Sequence, residues 1–109
     1  MSTNPAEGFA RLDVQQVHAK MAGGWAPVWV DVRKPHEWEQ DKLAEAAHFI
    51  PHEVVIADGL PGVDPSTPVL LQCRSGARSA RAAAALVARG FADVTNLEGG
   101  ILAWVAAFR

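Results

Sequence analysis

The chain has 109 residues, half of them hydrophobic and a fifth charged, and ten basic against twelve acidic residues leave a formal net charge of −2. A chain of this length holds one core and buries roughly two-thirds of its unfolded surface, so it needs neither disulfides nor a structural metal; its single cysteine, Cys73, excludes an intrachain disulfide framework and a cysteine-rich zinc site. The absence of a dense basic tract argues against nucleic acid, no apolar run approaches the ~18 residues of a membrane span, and the first residues lack the pattern of a secretory leader, so the expected address is the cytoplasm.

Residues 1–8 are polar and are expected to form a flexible segment ahead of a single domain over 9–109. Apolar Leu12, Val14, Val17 and Met21 predict a short helix closed by Gly23 and Gly24. The β-branched and aromatic run 26–32 predicts a buried strand. Pro35 suits the first turn of the next helix, where Glu37 and Glu39 favour its positive end and Trp38 and Leu43 would face the core. Residues 47–51 read as a further strand closed by proline, whereas 54–56 fit a helical turn or an extended segment equally well. Residues 58–68 carry three prolines and two glycines and form a loop. Val69, Leu70, Leu71 and Gln72 read as a fully buried strand. The alanine-rich stretch 78–89, ended by Gly90, predicts a helix. A strand over 92–97 follows, and Gly99-Gly100 lead into a last helix over 101–108. Strands that are apolar rather than alternating, separated by helices, predict an α/β fold: a mainly parallel five-stranded sheet with helices on both faces. Ligands of such sheets bind beyond the carboxyl ends of the strands, where Cys73 and the segment Asp31-Val32-Arg33 both fall.

The run Cys73-Arg74-Ser75-Gly76-Ala77-Arg78-Ser79 joins a buried strand to a helix. A tight turn of small residues can aim successive backbone N–H groups at one point, and the helix start adds unpaired N–H groups and a positive dipole end. Arg74 and Arg78 add two permanent cations. Each of these favours an anion at the centre, and the Cys73 sulfur is placed to be that anion. Lowering an ordinary thiol by about two units takes ~2.7 kcal/mol of differential stabilisation, within reach of such a cradle. The plain alternative, a small buried cysteine, does not account for two arginines, a serine and a glycine directly behind it.

These residues resemble the active-site loop of single-domain rhodanese-like sulfurtransferases. Asp31-Val32-Arg33 with Pro35-His36-Glu37-Trp38, the segment 47–51 ending in Ile50-Pro51, and Leu97-Glu98-Gly99-Gly100 through Trp104 are similar to further motifs of that family, in the same order, so the resemblance spans about 9–108. Lys42-Leu43-Ala44-Glu45-Ala46 stands where the family commonly has a Gly-His-Ile…Gly-Ala stretch. The resemblance implies a thiosulfate-type sulfane-sulfur donor, a cyanide or thiol acceptor, no cofactor, and double displacement through a persulfide. By position, Cys73 is the nucleophile, the backbone N–H groups of Arg74, Ser75, Gly76, Ala77, Arg78 and Ser79 hold the outer sulfur, and the Arg74 and Arg78 side chains attract the donor's anionic group. A protein donor or acceptor is compatible with the same loop.

Two rival readings share that loop. Cysteine-dependent phosphatases and arsenate reductases place an arginine six residues after the nucleophile; here that position is Ser79, and the shorter spacing to Arg78 favours a smaller guest. A non-catalytic persulfide relay would keep the loop unchanged. Asp31 and Arg33 are read first as an ion pair bracing the loop and second as substrate-binding groups. His48 and His52 are separated by Pro51 and lack a carboxylate cluster, so no metal site is assigned; His18 and His36 read as surface, and Trp25, Trp29, Trp38 and Trp104 as core or pocket wall. Gly99-Gly100 would let the last helix start tightly against the sheet, and the alanines at 80 and 82–85 would let the loop helix approach it closely.

Overall fold

A computed structural model describes residues 7–109; the expected flexible segment 1–8 therefore lies almost wholly outside the described residues. The strands are β1 (Ala10–Leu12), β2 (Val28–Asp31), β3 (His48–Phe49), β4 (Val69–Gln72) and β5 (Val94–Leu97). The helices are α1 (Val14–Ala22), α2 (Pro35–Gln40), α3 (His52–Asp58), α4 (Ala77–Ala88) and α5 (Gly100–Phe108). The five strands form one sheet in the order β1-β5-β4-β2-β3, and every pairing is parallel. Among the described residues no helix is long and apolar enough to cross a membrane.

The alternation of side chains along the strands sorts the core into two layers. Val30, Val69, Leu71 and Val94 point to one face, under Val55 of α3 and Ala82, Ala83 and Leu86 of α4. Trp29, Leu70 and Leu97 point to the other, under Val17 of α1 and Ile101 and Trp104 of α5. The edge of the Trp104 ring meets Trp29 with centroids 5.0 Å apart, an arrangement favoured by the aromatic quadrupoles. The helices thus cover both faces, as the apolar strand pattern required.

Two sequence expectations are corrected, and one that the pattern left open is settled. Leu12 does not open a helix: it ends β1 and pairs with Leu97, while Asp13 breaks the chain direction and caps α1. The Asp13 carboxylate accepts from the Gln16 N–H at 2.8 Å and the Gln16 side chain accepts from the Asp13 N–H at 2.9 Å, a reciprocal cap. Leu43 is buried, but it lies beyond the end of α2, and Trp38 on α2 is only half-buried, against Phe49. The undecided segment 54–56 is helical because Pro51 turns the chain and its carbonyl accepts from Val54 and Val55, leaving Val55 buried.

The start of α5 sits on the connection that leaves β4. The Ile101 N–H donates to the Cys73 carbonyl at 2.9 Å and the Leu102 N–H to the Arg74 carbonyl at 3.2 Å. Gly100 permits this approach: its φ is +58°, and a Cβ there would stand 2.5 Å from the Cys73 carbonyl oxygen. Gly100→Ala combines a disfavoured backbone conformation with a backbone clash, so it is expected to cost at least about 2 kcal/mol in urea unfolding.

Candidate active site

Cys73 follows β4 directly and is 1% exposed. Its backbone is fixed on one side by the start of α5 and on another by Gln72, whose side-chain amide donates to the Cys73 carbonyl at 3.1 Å and accepts from the Trp29 indole N–H at 3.1 Å. Three residues later Gly76 takes a left-handed conformation, φ +111°, and caps α4. This turn brings the Gly76 N–H to 3.1 Å from the Cys73 sulfur, and the first turn of α4 brings the Ser79 hydroxyl to 3.3 Å. The Ser79 oxygen is also 3.2 Å from the Gly76 carbonyl, which in addition accepts from the Asn96 side-chain amide at 3.2 Å. A hydroxyl carries one proton, so the Asn96 donor satisfies that carbonyl when Ser79 turns to the sulfur.

Burial alone pushes the Cys73 thiol up. Hydrogen bonds from the Ser79 hydroxyl and from the backbone N–H groups of Ser79, Gly76 and Ser75 outweigh it, and the thiol lies below its ordinary value. The arrangement stabilises a thiolate with neutral donors at contact distance.

The two loop arginines have different surroundings. Arg74 is exposed and lines a cleft with Arg33, Glu37, Ile101, Leu102 and Val105. Arg78 turns from α4 to α2 and grips Glu37 with two hydrogen bonds, 2.7 and 3.0 Å. The Glu37 carboxylate also accepts from the Lys34 N–H at 3.0 Å, closing the first turn of α2. The Arg78 hydrogen bond, opposed by burial and aided by the Lys34 N–H, lowers the Glu37 carboxyl to about 2.

Asp31 and Arg33 form a buried pair, with N–O distances of 2.7 to 3.0 Å, and Arg33 also donates to the Asp41 carbonyl at 2.8 Å. They tie the end of β2 to the end of α2, with hydrogen bonds that run to one another and to Asp41 rather than to the cysteine loop. The bracing expected of them therefore acts on the segment that carries Glu37. Sequence reasoning missed Glu37, Gln72 and Asn96 as supports of the loop. Glu37 was visible only as a helix-start acid; its partner lies 41 residues away. A polar Gln72 ending an apolar strand and Asn96 inside another were the available signals.

Two measurements check this geometry. The pH midpoint of Cys73 alkylation by iodoacetamide is expected below that of an ordinary thiol, and Ser79→Ala should move it upward by removing a donor to the thiolate. The Glu37 carboxyl is lower in the folded chain, about 2 against 4.5. Its contribution to stability is therefore full above about pH 4.5 and is lost as the pH falls toward 2, at most ~3 kcal/mol. Glu37→Gln should flatten the urea stability profile across that window.

Comparison with known proteins agrees with this loop and sheet. The model of the rhodanese-like domain family matches residues 13–107. The thiosulfate sulfurtransferase GlpE of Pseudomonas syringae pv. syringae is 35% identical over 88% of this chain and 87% of its own length. A sulfurtransferase of Allochromatium vinosum is 33% identical over 85% of each chain. The crystal structure of a rhodanese-like domain protein from Staphylococcus aureus superposes with a TM-score of 0.76 at 28% identity, covering 88% of this chain and 91% of the other. The chain belongs to the rhodanese-like domain family, among its sulfurtransferases.

Proposed function

We propose that the chain moves a sulfane sulfur from thiosulfate, or a donor of similar chemistry, to cyanide or a thiol, with Cys73 as the carrier. The observation that carries this reading is the buried Cys73 sulfur receiving the Gly76 N–H and the Ser79 hydroxyl at the start of α4. The relative named thiosulfate sulfurtransferase supports thiosulfate as donor.

In the first half-reaction the Cys73 thiolate attacks the outer sulfur of thiosulfate. The S–S bond of the donor breaks, its electron pair leaves with sulfite, and Cys73 becomes a persulfide anion. In the second, the acceptor attacks the outer sulfur and the pair of the new S–S bond returns to Cys73. Splitting the transfer in two is the usual gain of a covalent intermediate. No proton has to move if the thiol is already ionised, and the donors that lower Cys73 serve that purpose. The backbone N–H groups of residues 74–79 would hold the added sulfur, whose negative charge suits a helix start. The phosphatase alternative requires a cradle for a tetrahedral oxyanion; a serine with its hydroxyl on the sulfur stands at the position where that chemistry keeps arginine. With a single cysteine in the chain, the persulfide passes to an outside acceptor, and the reducing cytoplasm is the compartment that suits a free thiolate carrier.

Incubation with thiosulfate followed by intact-mass measurement should show the gain of one sulfur atom on the wild type and none on Cys73→Ala. Equal gain on both proteins, or none on either, overturns the proposal. Persulfide formation with turnover only by a protein donor or acceptor would identify a relay.

A further inference from the structure

The Ser79 hydroxyl has one proton and two acceptors within reach, the Cys73 sulfur at 3.3 Å and the Gly76 carbonyl at 3.2 Å. All three residues are buried. The carbonyl is chemically the stronger rival. A thiol sulfur is a weak acceptor, and a bond from serine to the carbonyl three residues back is a common local contact in a helix. What decides is how full that carbonyl is. A carbonyl oxygen has two lone pairs. At Gly76 one receives the Ala80 N–H at 3.1 Å, the first bond of α4, and the other receives the Asn96 side-chain N–H at 3.2 Å. The hydroxyl proton is thereby left to the sulfur.

Asn96 is built to make that donation. It lies in β5, next to β4 in the sheet, and is fully buried. Both of its amide N–H bonds point at oxygens, one at the Gly76 carbonyl and one at the Glu98 carboxylate, and Arg11 of β1 grips that carboxylate in turn. Turning the amide over would set its oxygen against a carbonyl and a carboxylate, so one orientation alone satisfies both neighbours. The amide oxygen itself is buried with no hydrogen-bond partner among the described residues, a state that folded chains normally avoid. The side chain thus donates twice although its own acceptor is left unpaired.

We infer that Asn96 is a positioning residue for sulfur transfer: by filling the second lone pair of the Gly76 carbonyl, it keeps the Ser79 hydroxyl proton on the Cys73 sulfur. This deepens the sulfurtransferase reading and rests on it for the use made of the thiolate. That sulfur is the nucleophile when the donor's S–S bond breaks and the electron pair leaves with sulfite. It is the leaving group when the acceptor takes the outer sulfur and the pair returns to Cys73. A hydrogen-bond donor held at the sulfur favours its charged form at both points. Without Asn96, the hydroxyl turns to the vacated lone pair while the thiol is neutral, and ionisation then has to break that bond.

The test is the pH dependence of Cys73 alkylation by iodoacetamide in the wild type, Asn96→Ala, Ser79→Ala and the double variant. Neither substitution adds or removes a charge, so Arg78 on α4 and Glu98 beyond β5 act equally in all four proteins. Each single substitution should raise the midpoint by about one pH unit, a tenfold loss of thiolate well below it. The double variant should match Ser79→Ala to within about a third of a unit, because Asn96 acts through the hydroxyl that is then missing. Above all the midpoints the rates should stay within about threefold of the wild type, which a loop loosened around a buried sulfur would not produce. The inference is overturned if either single substitution leaves the midpoint unchanged, if the two effects add, or if the high-pH rate departs from the wild type by more than that. Should Asn96→Ala fail to fold, Asn96→Thr repeats the cycle: its side chain suits a strand, and its hydroxyl ends one bond short of the amide nitrogen. If neither variant folds, Asn96 serves the fold rather than the proton, and the inference fails. Alkylation requires no sulfur transfer, so the thiosulfate mass measurement and this cycle fail separately.

Discussion

The site depends on the orientation of two peptide units. In a trans peptide the carbonyl and the N–H point in opposite directions. The Cys73 and Arg74 carbonyls are turned into the start of α5, where the Ile101 and Leu102 N–H groups receive them, so the N–H groups of Arg74 and Ser75, which belong to those same units, face the other way. The Gly76 carbonyl is held in turn by Asn96, and this fixes the direction of the Ala77 N–H. Three carbonyls of the loop are thus engaged away from the sulfur, and the Gly76 N–H and the Ser79 hydroxyl are left to donate to it. Two helix starts contribute: α4 beneath the sulfur and α5 behind the loop. The second satisfies its own free N–H groups with the backbone of the first site, which explains why a residue without a Cβ stands at position 100.

Charge is arranged around this cradle in separate layers. Nearest the sulfur are neutral donors, which stabilise an anion without a desolvated counter-ion. Farther out, Glu37 and Arg78 neutralise one another across α2 and α4, and Asp31 and Arg33 do so within the β2 end. Buried pairs of this kind bring little net stability against their desolvation, but removing one member strands the other. Their role fits positioning: one fixes α2 against the start of α4, and the other fixes the end of α2 to β2.

Much of this was legible in the sequence, and unevenly so. β4, the loop and α4 were readable because a four-residue apolar strand, a small-residue turn and an uninterrupted alanine-rich run each have one compatible conformation. The parallel pairing, though not the strand order, followed from strands apolar on both faces. β1 was not readable: three residues with one buried side chain carry no period, and only pairing with Asn96 and its neighbours makes them a strand. Leu43 showed its apolarity but not that the helix stops at Gln40 first. The supports of the loop were invisible for a different reason. Glu37, Asn96 and Gln72 act through partners fixed by the fold, and a polar residue in isolation does not announce which carbonyl or guanidinium it will meet. Gly100 was read correctly as a residue of close approach, but the surface approached is the cysteine loop itself.

The sheet's borders have a consequence for the chain's behaviour in crowded solution. The outermost strands, β1 and β3, are three and two residues long, whereas the three inner strands have four residues each. An open border invites another chain to add a strand, and the strength of that invitation grows with the number of unpaired backbone groups in register. Here the rows are too short to template more than a bridge. The parallel sheet, whose inner strands are among the most apolar segments in the molecule, is thus closed off from edge-to-edge association by brevity rather than by charge, and a concentrated solution of folded chains should have little tendency to polymerise through its sheets.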